Sequence, residues 1–460
     1  MHIHSRGRLI QSAGSRIRFL TGILLVLSAT TVWAAPLSLQ EAEAIALRQN
    51  PGLGVLAQKI AELRHQAIAV AQLPDPHLAL GAANLPLNSF SMNQQQMSML
   101  SVGLSQTFPS FGKLGLKGQQ TGIEAREAAD TLRGRSAELV LLLRRAWLQA
   151  LYAEDAVATV RHQERLRSET VQAALALYRS AQGSQADVFR ARLARDSLAN
   201  DISKLQSDRA SDLAQIAQIL NLPEPPSIAH RWPNLPPPPT LAEAEARLIA
   251  QILNLPEPPS IAHRWPNLPP PPTLAEAEAR LSGQPLLRAA QAQTRAAQMG
   301  VRVAKTGYWP EVTVSVDYGQ DFYPGSPNWL SAGVDLSLPI FPGDRQDQDV
   351  AAARAKALQA QYHYEDQHLA LTRQARAAFA RYAAFKAQLE RTDRQLLPTA
   401  RAAFSATLAA YSAGRAELSA VLRTQKDVLG YALTRLQYRR DLALSAAELD
   451  FLTTQGEIQP

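Results

Sequence analysis

No cysteine occurs among the 460 residues. Disulfide frameworks, thiolate metal sites, a cysteine nucleophile and a lipidated N-terminal cysteine are thereby excluded. Aromatic residues are scarce, at 6%, and glycine, with 23 residues, is outnumbered by 30 prolines. Beyond residue 34 no stretch approaches 18 consecutive apolar residues, so no transmembrane helix is expected there. Enzyme signatures are missing too. Gly112, Gly115, Gly118 and Gly122 are wrongly spaced for a dinucleotide fingerprint, and no Gly-Lys-Ser/Thr closes a phosphate loop. The histidines are dispersed: His363 and His368 stand five apart, off a common helix face, and His263 is a duplicate of His230. Asp344, Asp347 and Asp349 lack calcium-loop spacing and read instead as a helix start, where carboxylates suit the dipole. No catalytic residue and no cofactor are expected.

What is present begins with an export address. Arg6, Arg8, Arg16 and Arg18 precede an apolar run from Phe19 to Val32, and Val32-Trp33-Ala34 supplies small residues at a cleavage site. Residues 1–34 therefore read as a secretory signal peptide. The formal charge is +7; without those four arginines it is +3, with 43 basic and 40 acidic residues. That balance gives little support to a nucleic-acid partner. A hydrophobic content of 46% argues against a disordered chain.

Over half of the prolines have one origin. Ile216–Leu248 recurs without a change as Ile249–Leu281, each copy holding eight prolines around Asn234-Leu235-Pro236-Pro237-Pro238-Pro239 or its duplicate. A solenoid needs at least three diverged helical repeats, and a proline run favours extended polyproline chain. The unit reads as a duplicated surface linker, whose lengthening costs little entropy.

A slower repeat lies beneath it. Ser38 and Thr273 each precede a Leu-x-Glu-Ala pattern with glutamate three residues on, a capping box. Each opens an Ala- and Gln-rich helical stretch that ends at proline, Pro74-Asp75-Pro76 in one half and Trp309-Pro310 in the other. Two short alternating stretches follow in each half: a faint one at Leu78–Ala82 and a clear one at Leu100–Ser105, then Val312–Tyr318 and Leu330–Leu338. Period-two alternation marks strands with one apolar and one polar face. Such strands also suit an outer-membrane barrel, but four cannot close one, since the smallest has about eight. If they span a membrane, several copies must share a barrel. Long helices come next. Residues 110–222 hold no proline, and Val350–Ser412 is interrupted only by Pro398, which should kink it. Tyr178–Ala191 aligns with Tyr411–Thr424 at a constant offset of 233, and Gly183 and Gly414 are expected to break the helices into two hairpin tips.

This order (helix, two strands, long hairpin, twice over) together with the paired tip segments resembles the TolC family of outer-membrane factors, the exit ducts of tripartite efflux and secretion systems. Leu73-Pro74-Asp75-Pro76, Asn84-Leu85-Pro86, Met97 and Gln106-Thr107-Phe108-Pro109 with Gly112-Lys113 resemble its heavy-metal branch. The resemblance covers nearly all of residues 35–457. It divides the chain into a signal peptide (1–34), a first repeat (35–222), a Pro-rich linker (223–272) and a second repeat (273–457). The implied fold is mainly α with a small β part. Long helical hairpins would form a trimeric α-barrel, continued by a 12-stranded transmembrane β-barrel with four strands per subunit. A homotrimer in the outer membrane of a Gram-negative bacterium is implied, with outer-membrane lipid around it, a periplasmic adaptor, and an inner-membrane pump of the resistance–nodulation–division class exporting heavy-metal cations. A duct for drugs or secreted proteins is the alternative within the family, and a periplasmic coiled-coil scaffold the alternative outside it.

The tips would meet the adaptor, through Gly183, Ser184, Asp187, Val188, Gly414, Leu418 and Val421. In the family prototype two aspartates of the second tip narrow the tunnel entrance. Here those positions are Ala420 and Arg423, while the first tip keeps Asp187. Asp187 and Arg423 are therefore the tunnel-entrance candidates, with Arg423 either facing the axis or pairing with Asp187 or Glu417. Met92, Met97 and Met99 cluster before a strand; thioethers suit Cu(I), although apolar filling explains them more simply.

Overall fold

The structure is a computed structural model, described here for residues 36–230 and 280–454. The signal peptide, Thr273 and nearly all of the second 33-residue copy lie outside the described residues. The elements are α1 (Leu39–Gln49), α2 (Pro51–Ala69), β1 (His77–Ala83), β2 (Met99–Phe108), α3 (Lys113–Arg179), α4 (Gln185–Leu220), α5 (Pro285–Lys305), β3 (Val312–Asp321), β4 (Trp329–Leu336), α6 (Gln346–Arg391), α7 (Leu397–Ser412) and α8 (Leu418–Thr453).

Local chemistry sets the boundaries. Ser38 Oγ accepts from the Glu41 N–H while Glu41 accepts from the Ser38 N–H, so the expected capping box forms at α1. Asn50 ends α1 and caps α2, its Oδ1 2.9 Å from the Gly52 nitrogen, with Pro51 at the tolerated first position. Without proline or another breaker, α3 runs for 67 residues, about 100 Å at 1.5 Å per residue. The second long helix is not continuous. A π turn at Thr392–Leu396 separates α6 from α7 just ahead of Pro398, where the pyrrolidine ring cannot join a regular ladder. The acidic start expected for α6 is present in Asp347 and Asp349, whereas Asp344 falls in the preceding 3-10 turn.

All four expected strands form, including the faint one, because β1 gains its ladder from β2 rather than from its own alternation. The sheet is antiparallel in the order β1-β2-β3-β4. Its last strand stops at Leu336, short of the expected Leu338. The adjoining helices repeat that order: α2 packs on α3, α3 on α5 and α5 on α6. Close approach of α3 to α5 depends on Gly134, where a Cβ would lie 2.3 Å from Leu286 Cδ2.

Four cores hold the helices among the described residues, the smallest joining Val160 of α3, Leu198 of α4 and Leu429 of α8. One gathers Leu141 and Leu148 of α3, Leu287 of α5, Leu371 and Tyr382 of α6, and Leu442 and Leu449 of α8. A second packs Ala42 and Ala46 of α1 on Leu143, Trp147 and Leu151 of α3 and Ile216 and Leu220 of α4. Ile228 joins it where Leu37 and Ser227–Ala229 exchange backbone hydrogen bonds, pinning the start of the linker to the start of α1. The third core lies between the hairpin tips.

Candidate functional site

Two regions carry chemistry that a duct could use: the sheet and the tips. In the sheet, ladder partners share a face. Leu78, Leu104, Val316 and Ala332 form one row, Leu80, Val102, Tyr318 and Leu330 the next, and Val314 with Val334 and Val312 with Leu336 extend them. These side chains are exposed: Leu80 is 74% accessible, Leu330 76% and Val334 64%. The opposite face is small and polar, with rows His77, Ser105, Ser315, Gly333 and Ala79, Gly103, Asp317, Ser331, then Thr107, Thr313, Asp335. Met99 and Trp329 are its large apolar members in those ladders. Oil on one face and water on the other is the solvation such a sheet requires. β1 and β4 each pair on one side only, leaving two free edges among the described residues.

The hairpin tips are built alike. At the first, the Gln182 N–H reaches Leu177 O at 2.9 Å and the Ala181 N–H reaches Tyr178 O. At the second, the Arg415 N–H reaches Ala410 O at 2.8 Å and the Gly414 N–H reaches Tyr411 O. Each partner is displaced by the same 233 positions, and both are Schellman-type C-caps. The left-handed residue is Gly414 in the second tip, as expected, but Ala181 in the first, with φ +55°. Gly183, expected to break the first helix, does not adopt positive φ; the motif needs its left-handed residue two positions earlier.

The tip residues divide sharply by exposure. Ser184 caps α4 by accepting from the Asp187 N–H and donates to Asp187 Oδ2 at 2.7 Å. Asp187 also meets Arg190 of its own helix at 3.4 Å, not Arg423. Arg423 is exposed and has no acidic partner among the described residues. Gly414 is exposed, and Gly183 partly so. Val188, Leu418 and Val421, expected on the adaptor-facing surface, are buried at 5%, 2% and 0%. They correct that expectation: they lie on helix faces turned toward the opposing hairpin and fill the tip core with Val171, Ala174 and Tyr411. Burial, with the Asp187 charge adding to it, pushes the Tyr411 phenol up. A buried hydrogen bond from Gln425 Nε2 to Thr170 Oγ1, 2.9 Å, also joins α8 to α3 here. Sequence reasoning missed both polar members, since neither falls on the repeated segments.

The three methionines do not sit alike. Met92 lies in the β1–β2 loop, Met97 is half-exposed there with φ +68°, and Met99 opens β2 with its sulfur against Gly319. No cluster of three or more His, Asp or Glu side chains able to hold a metal occurs among the described residues. No helix among them is long and apolar enough to cross a membrane.

Residues 277–455 match the outer membrane efflux protein family. The outer-membrane channel OprN superposes over 90% of this chain and 89% of its own, with TM-score 0.73 at 18% identity. The second half of this chain is thus similar in sequence to the outer membrane efflux proteins, and nearly the whole chain shares the fold of outer-membrane channels. CusC, solved in work on its folding and transmembrane channel formation, matches over 90% of this chain and 91% of its own, with TM-score 0.68 and 14% identity. The cobalt-zinc-cadmium resistance protein CzcC of Cupriavidus metallidurans is 29% identical over 144 residues, 31% of this chain. That match spans only 34% of CzcC, about a third of its length. The fold is that of outer-membrane channels.

Proposed function

We propose that three copies of this chain form the outer-membrane exit duct of a tripartite system that exports heavy-metal cations. The sheet carries this reading. Four strands with an exposed apolar face, a polar opposite face and two free edges need neighbours, and joining β4 of one copy to β1 of the next closes twelve strands without an edge. Because α2 leads into β1 and α6 leaves β4, the same step sets α2 of one copy beside α6 of another. Exposed Val55 and Ile68 on α2 and Leu358, Tyr362 and Leu369 on α6 would then be covered. The apolar face meets lipid, while Asp317 and Asp335 on the polar face give the lumen a negative lining suited to cations.

The metal class rests on the similarity to CzcC. A pump of the resistance–nodulation–division class supplies the energy, and an adaptor grips the tips through the exposed part of the expected set, Ser184, Asp187, Gly414 and their surroundings. Arg423, exposed at the second tip, is the entrance residue of this reading. The three methionines serve packing and loop structure, since a duct gains nothing from tight binding. A deletion strain tests the proposal: sensitivity to cobalt, zinc or cadmium, restored by the intact gene, is expected. Unchanged metal tolerance with increased drug sensitivity would transfer the duct to the drug class. Recovery of the chain without detergent would remove the barrel altogether.

A further inference from the structure

A cavity of about 620 Å3 lies between α3, α7 and α8, and the duct reading makes no use of it. Its size is that of a small-molecule pocket. It stands beside the π turn: Leu397, the first residue of α7, forms part of its wall, and Arg401 follows one helical turn later. An extra residue in a helical turn shifts the side chains beyond it, which is one way such turns shape binding sites.

The lining has two characters. Leu166, Leu397, Phe404 and Leu436 supply an apolar wall. Arg401, Arg435 and Arg439 supply positive charge, against which the lining holds a single carboxylate, Asp155. That carboxylate is already 2.8 Å from His230 Nε2, and Arg435 is bound to Asp393. Arg401 has no acidic partner among the described residues. Burial, with Arg435 adding to it, pulls the Arg439 guanidinium down to about 9 against the pull of Asp155 and Asp393. Arg401 is therefore the cation of the lining placed to meet an arriving anion. Gln163, 4% exposed, also lines the cavity, and its amide can donate to a ligand oxygen there.

We propose that this cleft binds a small amphipathic organic anion, its carboxylate or sulfonate held by Arg401 and Gln163 and its apolar body against Phe404, Leu397 and Leu436. Planar guanidinium donors suit such a two-oxygen head, and the apolar wall sets the site apart from one for inorganic anions. The site does not depend on which cargo the duct exports.

Equilibrium dialysis of the purified, detergent-solubilised full chain against 2-naphthoate tests this, with 2-naphthylmethanol as the uncharged analogue. Saturable uptake of naphthoate, one per chain, is expected, with the alcohol showing only unsaturable partition into detergent. Arg401→Gln, at an exposed position, should weaken naphthoate binding at least about 10-fold, as should Gln163→Glu, which keeps the size and adds a repelling charge. Equal uptake of both compounds, no uptake, or saturable uptake unchanged by Arg401→Gln would each overturn the proposal. Should Gln163→Glu fail to assemble, Arg401→Gln decides alone. A metal-tolerant deletion strain would sink the cargo assignment and leave this binding result untouched.

Discussion

The two hairpins share topology and tip geometry but differ in how they achieve them. The first sends α3 through 67 residues unbroken; the second inserts a π turn before Pro398. At the offset of 233, Pro398 stands where the first hairpin has Arg165, Gly414 where it has Ala181, and Ala377 where it has Arg144. Each difference places a cost or a gain on one hairpin alone. The fold requires the path of the chain, and several residue chemistries can follow that path.

The largest test removes the tie peculiar to the first hairpin. Arg144, with a side chain 12% exposed, sits 2.7 Å from Glu43 of α1 and also binds Asp450 of α8. Arg144→Ala strands two partly buried carboxylates and should destabilise the chain by about 3–5 kcal/mol in urea unfolding. A loss near zero would mean that apolar packing alone holds the base of the first hairpin, as at Ala377 in the second.

The tips offer a reciprocal exchange. Ala181 holds φ +55° with a Cβ, whereas Gly414 holds φ +70° without one. Ala181→Gly should stabilise by up to about 1 kcal/mol and Gly414→Ala should cost about as much, read from paired thermal melts. Opposite signs are required. If both substitutions destabilise, the first tip owes its form to contacts made by the Ala181 methyl.

The smallest test concerns α4. Burial, with Asp208 adding to it, pushes the Asp212 carboxyl up to about 6, and Arg440 of α8 opposes the shift. A folded pKa above the unfolded one favours the protonated form. The stabilising contribution is thus full below about pH 4 and lost as pH rises through about 6. The aligned position in the second hairpin is Ser445, which does not titrate in this range. Asp212→Asn should therefore melt higher at pH 8, by less than about 1 kcal/mol after solvent screening, and match the parent at pH 4. An equal advantage at both pH values would assign the effect to packing instead of charge.

Much of this was legible in residue order. Ser38 and Glu41 announced their cap, and the alternation at Val312–Tyr318 gave a strand with the correct two faces. Pro398 announced an interruption, though its form as a π turn depends on how the neighbouring turns relax. The tip surface was legible only in part. The pattern around Val188, Leu418 and Val421 shows an apolar helix face, but whether it meets an adaptor or another hairpin depends on chain 233 residues away. The cleft beside the π turn had no sequence signal, because Gln163, Arg401 and Arg439 come from three helices and no local spacing relates them.

The duplicated linker shows the same division. Residues 216–230 end α4, fill a core with Ile216 and Ile228, and bridge to Leu37, while the identical residues 249–263 lie outside the described chain. The sequence of the unit does not by itself specify that place; for residues 216–230 direct continuity with α4 does. By itself the sequence determined the elements, their twofold order and the faces of the strands, since caps, prolines and periodicity act within a few residues. Tertiary structure decided which apolar faces close on each other, which helices converge on the cleft beside the π turn, and which sheet edges remain open, since those depend on contacts between residues far apart in the chain.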